Sequence, residues 1–155
     1  MHPVPARKAV AVGDVDWTAL RAVALAVAAR AHAPYSGFRV GAAALVDDGR
    51  TVAGCNVENA SYGLTLCAEC SLVSDLHMSA PTDARGRPRP GRLVAFVCVN
   101  AADEVTMPCG RCRQLLWEFR APEMLVWGPS GPLPMTAVLP EACLLYTSPS
   151  PRDRG

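Results

Sequence analysis

Hydrophobic residues recur every three or four positions over residues 17–32, the spacing of one face of an α-helix. Asp14 or Asp16 can cap the start of this predicted helix, and Pro34 stands just past its end. The apolar stripe consists of Leu20, Val23, Ala24, Val27 and Ala31. Because such a stripe must be buried, the helix is expected to pack against another element.

Two strand-like runs follow, Phe38–Val46 and Arg50–Cys55, with Asp48 and Gly49 between them as a tight turn. The segment Gly41–Ala44 contains only small residues, which predicts that a helix or a ligand approaches this strand closely. An antiparallel hairpin with one closely covered strand is therefore expected.

Helices and strands alternate in the rest of the chain. The nearly continuous apolar run Leu93–Val99 predicts a strand that is buried on both faces. The other predicted elements are a helix from about Thr65, its possible N-cap, to Met78, a helix from Arg111 to Phe119, and a short strand from Met124 to Trp127. A hairpin followed by this alternation predicts an α/β fold, a three-layer α/β/α sandwich with a mixed β-sheet.

Length and composition predict one domain, since half of the 155 residues are hydrophobic. We place that domain at residues 14–142, with a loose N-terminal arm at 1–13 and a disordered or non-native Ser/Pro-rich tail at 143–155. No apolar run approaches the roughly 18 residues of a membrane span. No secretory signal is evident either, so no membrane partner is expected and a cytoplasmic protein is predicted.

The net charge of +1 gives no general attraction for nucleic acid. The arginines within residues 85–92 are not interleaved with aromatic residues, so the segment 79–92 is predicted to be a solvated surface loop between a helix and a strand. No nucleic-acid partner is expected.

Seven cysteines are many for a chain of this length, and their number is odd. Without a secretory signal they are not expected to form disulfides. Cys55 and Cys98 fall in strand-like runs, where a small buried thiol is the simplest interpretation. The two Cys-x-x-Cys pairs, Cys67–Cys70 and Cys109–Cys112, have the spacing of metal ligands.

Cys67, Cys109 and Cys112 would form a three-thiolate zinc site with its fourth position open, the arrangement of a catalytic metal. Each pair lies near the start of a predicted helix, whose free N–H groups favour thiolates. Glu69 stands two residues after Cys67, and residues at that spacing do not face each other on a helix. It is therefore predicted to be an acid and base beside the metal, although a first-turn glutamate is also common without any such role.

The main alternative is a structural zinc site with Cys70 as its fourth ligand, because Cys70 shares a helical face with Cys67. The spacer between the two pairs exceeds the roughly 15–20 residues of a short zinc ribbon, which favours the open site. A redox dithiol is a weaker interpretation, since two pairs suit a metal better.

Three residues around the hairpin are candidates for binding a small molecule. Asn56 and Glu58 follow a strand end and offer an amide and a carboxylate to the hydroxyls of a sugar, although both also suit an ordinary turn. Phe38 opens a strand and can stack on a flat base, although a lone phenylalanine more often packs in a core.

At these residues the chain closely resembles the small homotetrameric cytidine deaminases, particularly those of actinobacterial type. The matching motifs are Pro34-Tyr-Ser-x-Phe-x-Val-Gly-Ala-Ala43, Gly54-x-Asn-Val-Glu-Asn-Ala-Ser-Tyr-Gly63, Cys67-Ala-Glu69 and Pro108-Cys-Gly-x-Cys-Arg-Gln114. Together they span roughly residues 14–142 and are highly specific. The glutamate with Pro-Cys-x-x-Cys is the general signature of zinc deaminases.

The resemblance implies hydrolysis of cytidine and 2′-deoxycytidine to the uridines plus ammonia, in pyrimidine salvage. It implies one Zn²⁺ per chain on Cys67, Cys109 and Cys112, with Glu69 moving protons between water, the cytosine ring and the departing ammonia. It also implies a homotetramer whose sites are shared between subunits. The implied substrate contacts are Phe38 on the base, Asn56 and Glu58 on the ribose 3′-hydroxyl, the Ala68 backbone on the pyrimidine, and Ala60 and Tyr62 in a neighbouring subunit's site.

The chain departs from the family pattern at two positions. Cys70 stands where many members have an arginine that relieves the negative thiolates, and Arg111 or Arg113 is expected to supply that charge instead. Cys143 stands where the family usually has a phenylalanine that closes an adjacent subunit's pocket, which predicts weaker nucleoside binding. Two further alternatives are a deaminase of a cytosine-bearing antibiotic nucleoside and a homologue impaired by its altered C-terminus.

Overall fold

The computed structural model describes residues 12–144, and five strands of this range form one mixed sheet. The strands are β1 (Val40–Val46), β2 (Thr51–Cys55), β3 (Leu93–Asn100), β4 (Arg120–Gly128) and β5 (Gly131–Pro134). Their order across the sheet is β2-β1-β3-β4-β5. The pair β3–β4 is parallel and the other three neighbouring pairs are antiparallel.

Helices cover both faces of the sheet. They are α1 (Trp17–Ala28), α2 (Ala68–Met78), α3 (Gly110–Phe119) and the short α4 (Met135–Val138). Leu20 and Ala24 of α1 pack with Val97 of β3 on one face. Leu72 of α2 and Leu116 of α3 pack with Phe96 of the same strand on the other face. Consecutive residues of β3 thus point into two cores, and the predicted three-layer α/β/α sandwich is confirmed.

Several element boundaries differ from the predicted ones. The first helix ends at Ala28 rather than near residue 32, where His32 instead bridges to Val57. The second helix begins at Ala68 with Cys67 as its N-cap, so the prediction of Thr65 as the cap was wrong. The physical reason is the bridge between Val57 and the residue before Cys67, which holds the backbone extended there.

Strand β5 and helix α4 were not predicted, because Pro132 and Pro134 obscure any strand pattern. Prolines are tolerated in β5 because it is the edge strand. Of the predicted arm, residues 1–11 lie outside the described range, and Val12–Asp14 form a 3-10 turn. Residues 145–155 of the predicted tail also lie outside that range.

The predicted surface loop at residues 79–92 is largely exposed, as expected. Two of its arginines bond within the protein: Arg87 pairs with Asp83 at 2.8 Å, and Arg92 donates to the carbonyl of Glu118 at 2.7 Å. Across residues 12–144, no helix has the length and apolar character that crossing a bilayer requires.

Glycines let a helix approach the hairpin from each face. A Cβ on Gly41 of β1 would lie 2.0 Å from the carbonyl oxygen of Ala24 in α1. A Cβ on Gly54 of β2 would lie 2.4 Å from the carbonyl oxygen of Ala68, the first residue of α2. The close helix approach predicted from the small-residue segment is thus confirmed, and α2 is held directly against the strand that leads to the site.

We expect Gly41→Ala to lower the free energy of unfolding by about 2 kcal/mol, because α1 must move away from the sheet. In thermal unfolding this corresponds to a midpoint about 6 °C lower. Gly13→Ala is the matched control, since a Cβ there meets nothing within 4 Å. Equal midpoints for the two variants would contradict the close packing.

Candidate active site

Three thiols meet where α2 and α3 begin. Cys67 is the N-cap of α2, Cys109 is the N-cap of α3, and Cys112 lies in the first turn of α3. The three sulfurs lie within 4.8 Å of one another, with 3.9 Å between those of Cys67 and Cys109. The topology explains the meeting, because β2 and β3 both run antiparallel to β1 and so deliver their helices to the same edge of the sheet.

This donor set fits zinc. A tetrahedral Zn²⁺ with Zn–S bonds of about 2.3 Å holds its sulfurs about 3.8 Å apart, close to the observed separation. Burial raises the pKa of the Cys67 and Cys112 thiols. Burial also opposes ionisation of Cys109, but the hydrogen bonds from the backbone and side chain of Cys112 and from the side chain of Cys67 together outweigh it, and the pKa of Cys109 is lowered. A bound cation would favour the thiolate form of all three, which is the form that ligates metals.

Glu69 is the second residue of α2, and only 4% of its surface is exposed. Burial raises the pKa of its carboxyl above the ordinary value, against the opposing effect of its own backbone N–H and of the Cys112 side chain. It therefore lies beside the thiols as a buried acid with an elevated proton affinity. A carboxyl in this state suits proton transfer near neutral pH.

A cavity of about 230 Å³ opens beside the thiols and Glu69. Pockets for drug-sized ligands span about 300–1,000 Å³, so this one suits a smaller molecule. The lining residues are Phe38, Val40, Asn56, Thr65, Cys67, Ala68, Glu69, Cys98, Thr106, Met107 and Cys109. The predicted residues Phe38, Asn56 and Ala68 therefore share one cavity with two of the three thiols and the buried acid.

Five lining residues were not predicted as site residues: Val40, Thr65, Cys98, Thr106 and Met107. Three of them could have been predicted from the sequence: Thr65, Thr106 and Met107 lie just before the two helices that carry the thiols. The other two carry no such signal. They come from the start of β1 and the end of β3, strands that only the sheet brings together.

In this structure the side chains of Asn56 and Glu58 form hydrogen bonds to the backbone of residues 35–40. The Asn56 side chain accepts from the N–H of Val40 at 2.8 Å and donates to the carbonyl of Phe38 at 2.9 Å. Glu58 does not line the cavity. Its carboxylate accepts hydrogen bonds from the turn that contains Tyr35 and Ser36.

Ala60 and Tyr62 lie on the exposed segment between β2 and α2. The Tyr62 side chain is 80% exposed, and neither residue lines the cavity of its own chain. Nearby Leu64 and Leu66 are also exposed, at 65% and 45%. The segment thus presents apolar surface to its surroundings.

Comparison with known proteins identifies the family. The profile described as the cytidine and deoxycytidylate deaminase zinc-binding region matches residues 16–127, which is most of the chain and includes all three thiols. This chain belongs to that deaminase family.

Mycobacterial relatives within the family match this chain along nearly their whole length. The chain is 52% identical to the cytidine deaminase of Mycobacterium tuberculosis over 139 residues, which cover 90% of this chain and 98% of the relative. A crystal structure of that organism's cytidine deaminase matches with a TM-score of 0.76 at 54% identity, over 85% of this chain and 100% of the other. The Mycobacterium leprae cytidine deaminase structure matches with a TM-score of 0.72 at 50% identity, over 83% and 100% of the two chains. The resemblance drawn from the sequence motifs and the α/β fold are confirmed.

Cys70, the fourth cysteine of the two Cys-x-x-Cys pairs, does not belong to the cluster of three thiols. Among residues 12–144, the cluster of possible metal ligands contains Cys67, Cys109 and Cys112 but not Cys70. The sulfur of Cys70 instead accepts a hydrogen bond from the guanidinium of Arg111 at 2.8 Å. The geometry thus favours the open three-thiol site of a deaminase over a closed structural site.

Of the two arginines expected to supply positive charge, Arg111 is the one beside the thiols. Its pKa is raised chiefly by the hydrogen bond to Cys70 and also by the charges of Cys67 and Cys112. Arg113 donates instead to the carbonyls of residues 108 and 138, at 2.9 and 3.2 Å. Its role is to hold the loop before α3 rather than to face the sulfurs.

Residue 143 is held at the surface by α3. The side chain of Gln114 accepts from the N–H of Cys143 at 2.8 Å and donates to its carbonyl at 3.1 Å. The exposed Cys143 thus occupies a defined backbone position beside α3.

Proposed function

We propose that this chain is a zinc-dependent hydrolase that converts cytidine and 2′-deoxycytidine to uridine and 2′-deoxyuridine plus ammonia, in nucleoside salvage. The observation that carries the proposal is one small cavity, lined by a buried carboxyl and by two thiols of a three-thiol cluster. The family membership and the 52% identity to a named cytidine deaminase support the same reaction.

Cys67, Cys109 and Cys112 would hold one Zn²⁺ per chain, and the metal would supply Lewis acidity that activates water at neutral pH. Glu69 accepts a proton from the attacking water and delivers it to N3 of the cytosine ring. The carboxylate then takes the proton of the new C4 hydroxyl and delivers it to the amino group, so that ammonia leaves and the C4 carbonyl forms. The raised pKa of Glu69 suits it to both steps, because it releases the proton less readily than an exposed glutamate does.

The substrate is oriented by the rim of the cavity. Phe38 stacks on the pyrimidine, the backbone of Ala68 contacts its edge, and Asn56 with Glu58 binds the ribose 3′-hydroxyl. Phe38 is half exposed at the cavity mouth, which supports a stacking role over core packing.

The working form is proposed to be a homotetramer in the cytoplasm, with sites shared between subunits and no nucleic-acid partner. The exposed apolar segment that carries Ala60 and Tyr62 supports this assembly, because these two residues are exposed and do not line the cavity of their own chain. Sedimentation of the purified protein tests it, and a monomer would refute the shared sites.

The function is tested by following the fall in the ultraviolet absorbance of cytidine and the release of ammonia. We expect purified protein with about one zinc per chain to convert cytidine, and removal of zinc by a chelator to stop the reaction. Zinc-replete protein that leaves both nucleosides unchanged would refute the proposal.

Arg111→Ala is expected to lower kcat about tenfold while the zinc content stays near one per chain, because the guanidinium no longer relieves the negative thiolates. Arg113→Ala is expected to lower zinc content and turnover together, since the loop before α3 loses its link at Pro108 to the end of α4 at Val138. Metal analysis beside the cytidine assay distinguishes them. The same loss pattern in both variants would contradict these separate roles.

A further inference from the structure

The turn before β1 is bonded to Glu58 by three donors. Oε2 of Glu58 accepts from the N–H of Tyr35 at 2.9 Å and from the N–H of Ser36 at 3.2 Å. Oε1 accepts from the hydroxyl of Ser36. Gly37 completes the turn in the left-handed region, with φ of 68°, where a glycine is favoured. The turn and the carboxylate are therefore one hydrogen-bonded unit.

The same serine oxygen also holds the backbone of Phe38. The N–H of Phe38 donates to Oγ of Ser36 at 3.0 Å, while its carbonyl accepts from Asn56 at 2.9 Å. A serine hydroxyl carries one donor and two acceptor positions. In this structure Ser36 uses its donor on Glu58 and one acceptor on Phe38, so it links the two predicted substrate contacts.

The hydrogen bonds to Glu58 leave one side of the carboxylate open. Each carboxylate oxygen has about two acceptor positions. Both positions of Oε2 are filled by backbone N–H groups, and one position of Oε1 is filled by the Ser36 hydroxyl. One acceptor position on Oε1 remains for a donor such as a sugar hydroxyl. The Ser36 hydroxyl is also the largest cause that lowers the pKa of Glu58, which keeps the acceptor ionised.

We propose that Ser36 is a positioning residue for the nucleoside, because its hydroxyl orients Oε1 of Glu58 to accept from the ribose 3′-hydroxyl, while Asn56 also holds the Phe38 backbone. The inference rests on the proposed function, since it takes a nucleoside as the occupant of the cavity. Ser36 itself does not touch the reacting atoms.

Ser36→Ala is expected to raise KM for cytidine about tenfold, because Glu58 is no longer held in the orientation that accepts a charge-assisted hydrogen bond from the 3′-hydroxyl. The value of kcat should stay within about twofold, since the lost interaction is equal in ground and transition states. With 2′,3′-dideoxycytidine, which has no 3′-hydroxyl, the KM values of parent and variant should agree within about twofold. Ser36→Thr restores the hydroxyl and should restore KM for cytidine. Ser130→Ala, in an exposed turn, is the matched control and should match the parent.

A KM for cytidine that Ser36→Ala leaves unchanged would overturn the proposal. An equal rise in KM for both nucleosides, or a fall in kcat by the same factor, would also overturn it, because either indicates general loosening of the site. Calorimetry of cytidine binding in the Glu69→Gln background separates this inference from the proposed reaction. In that background, adding Ser36→Ala should raise the Kd for cytidine about tenfold. An unchanged Kd overturns the role of Ser36 alone, whereas a parent that binds cytidine without converting it overturns the proposed reaction alone.

Discussion

Glu69→Gln is expected to lower kcat for cytidine by about 10³-fold, which corresponds to about 4 kcal/mol of transition-state stabilisation. Glutamine keeps the size of the side chain but cannot carry a proton from water to the ring and on to ammonia. The proposed transfer is supported by the raised pKa of this buried carboxyl, which lies in the cavity that Cys67 and Cys109 also line. Zinc content should stay at about one per chain, since Glu69 is not part of the thiol cluster.

The measurement is the rate of absorbance loss with cytidine, run beside metal analysis of the same samples. Glu123→Gln is the matched control, because that residue is exposed on β4 and should leave kcat unchanged. Retention of more than about a tenth of the parent rate by Glu69→Gln would rule out the carboxyl as the main proton carrier. A loss of zinc in step with activity would instead assign Glu69 to holding the metal.

Cys112→Ser is expected to remove both zinc and turnover, whereas Cys70→Ser is expected to retain both. Loss of an outer hydrogen-bonding partner of a zinc ligand already costs about 10–100-fold in affinity, and loss of a buried ligand should exceed that. Cys112 is fully buried among the three sulfurs. Cys70 lies outside that cluster and accepts a hydrogen bond from Arg111 instead.

The pair of variants discriminates directly between an open and a closed metal site. The same substitution is made in the two Cys-x-x-Cys motifs, and zinc is measured after dialysis against buffer and then against a competing chelator. Equal zinc loss from Cys70→Ser and Cys112→Ser would establish a four-cysteine site and remove the position that water needs. Zinc loss from Cys112→Ser alone is the expected result.

Much of the fold could be predicted because its signals are local. The period of α1, the hairpin around Gly49 and the unbroken apolar run of β3 each depend on neighbouring residues, and each element is found within a few residues of its predicted range. Strand β5 and helix α4 escaped prediction because two prolines and a four-residue helix have no periodicity to detect. The position of Cys67 as the N-cap of α2 was not predicted either, because it depends on the β-bridge between Val57 and Leu66.

The sequence by itself determined the chemistry of the site. Cys67, Cys109 and Cys112 with Glu69 are chemically unusual residues at short, characteristic spacings, so their joint appearance indicates a metal and a proton carrier without any coordinates. That the three sulfurs lie within 4.8 Å follows from helix starts that the strand order brings to one edge.

Only the tertiary structure decided which side chains face each other across the chain. It turned Cys70 towards Arg111 and not into the thiol cluster, and it bonded Glu58 to Ser36. The partners in these two contacts are 41 and 22 residues apart, so no local pattern encodes them. Hydrogen bonds at such separations depend on how helices and strands pack, and that packing depends on the whole core rather than on any one segment.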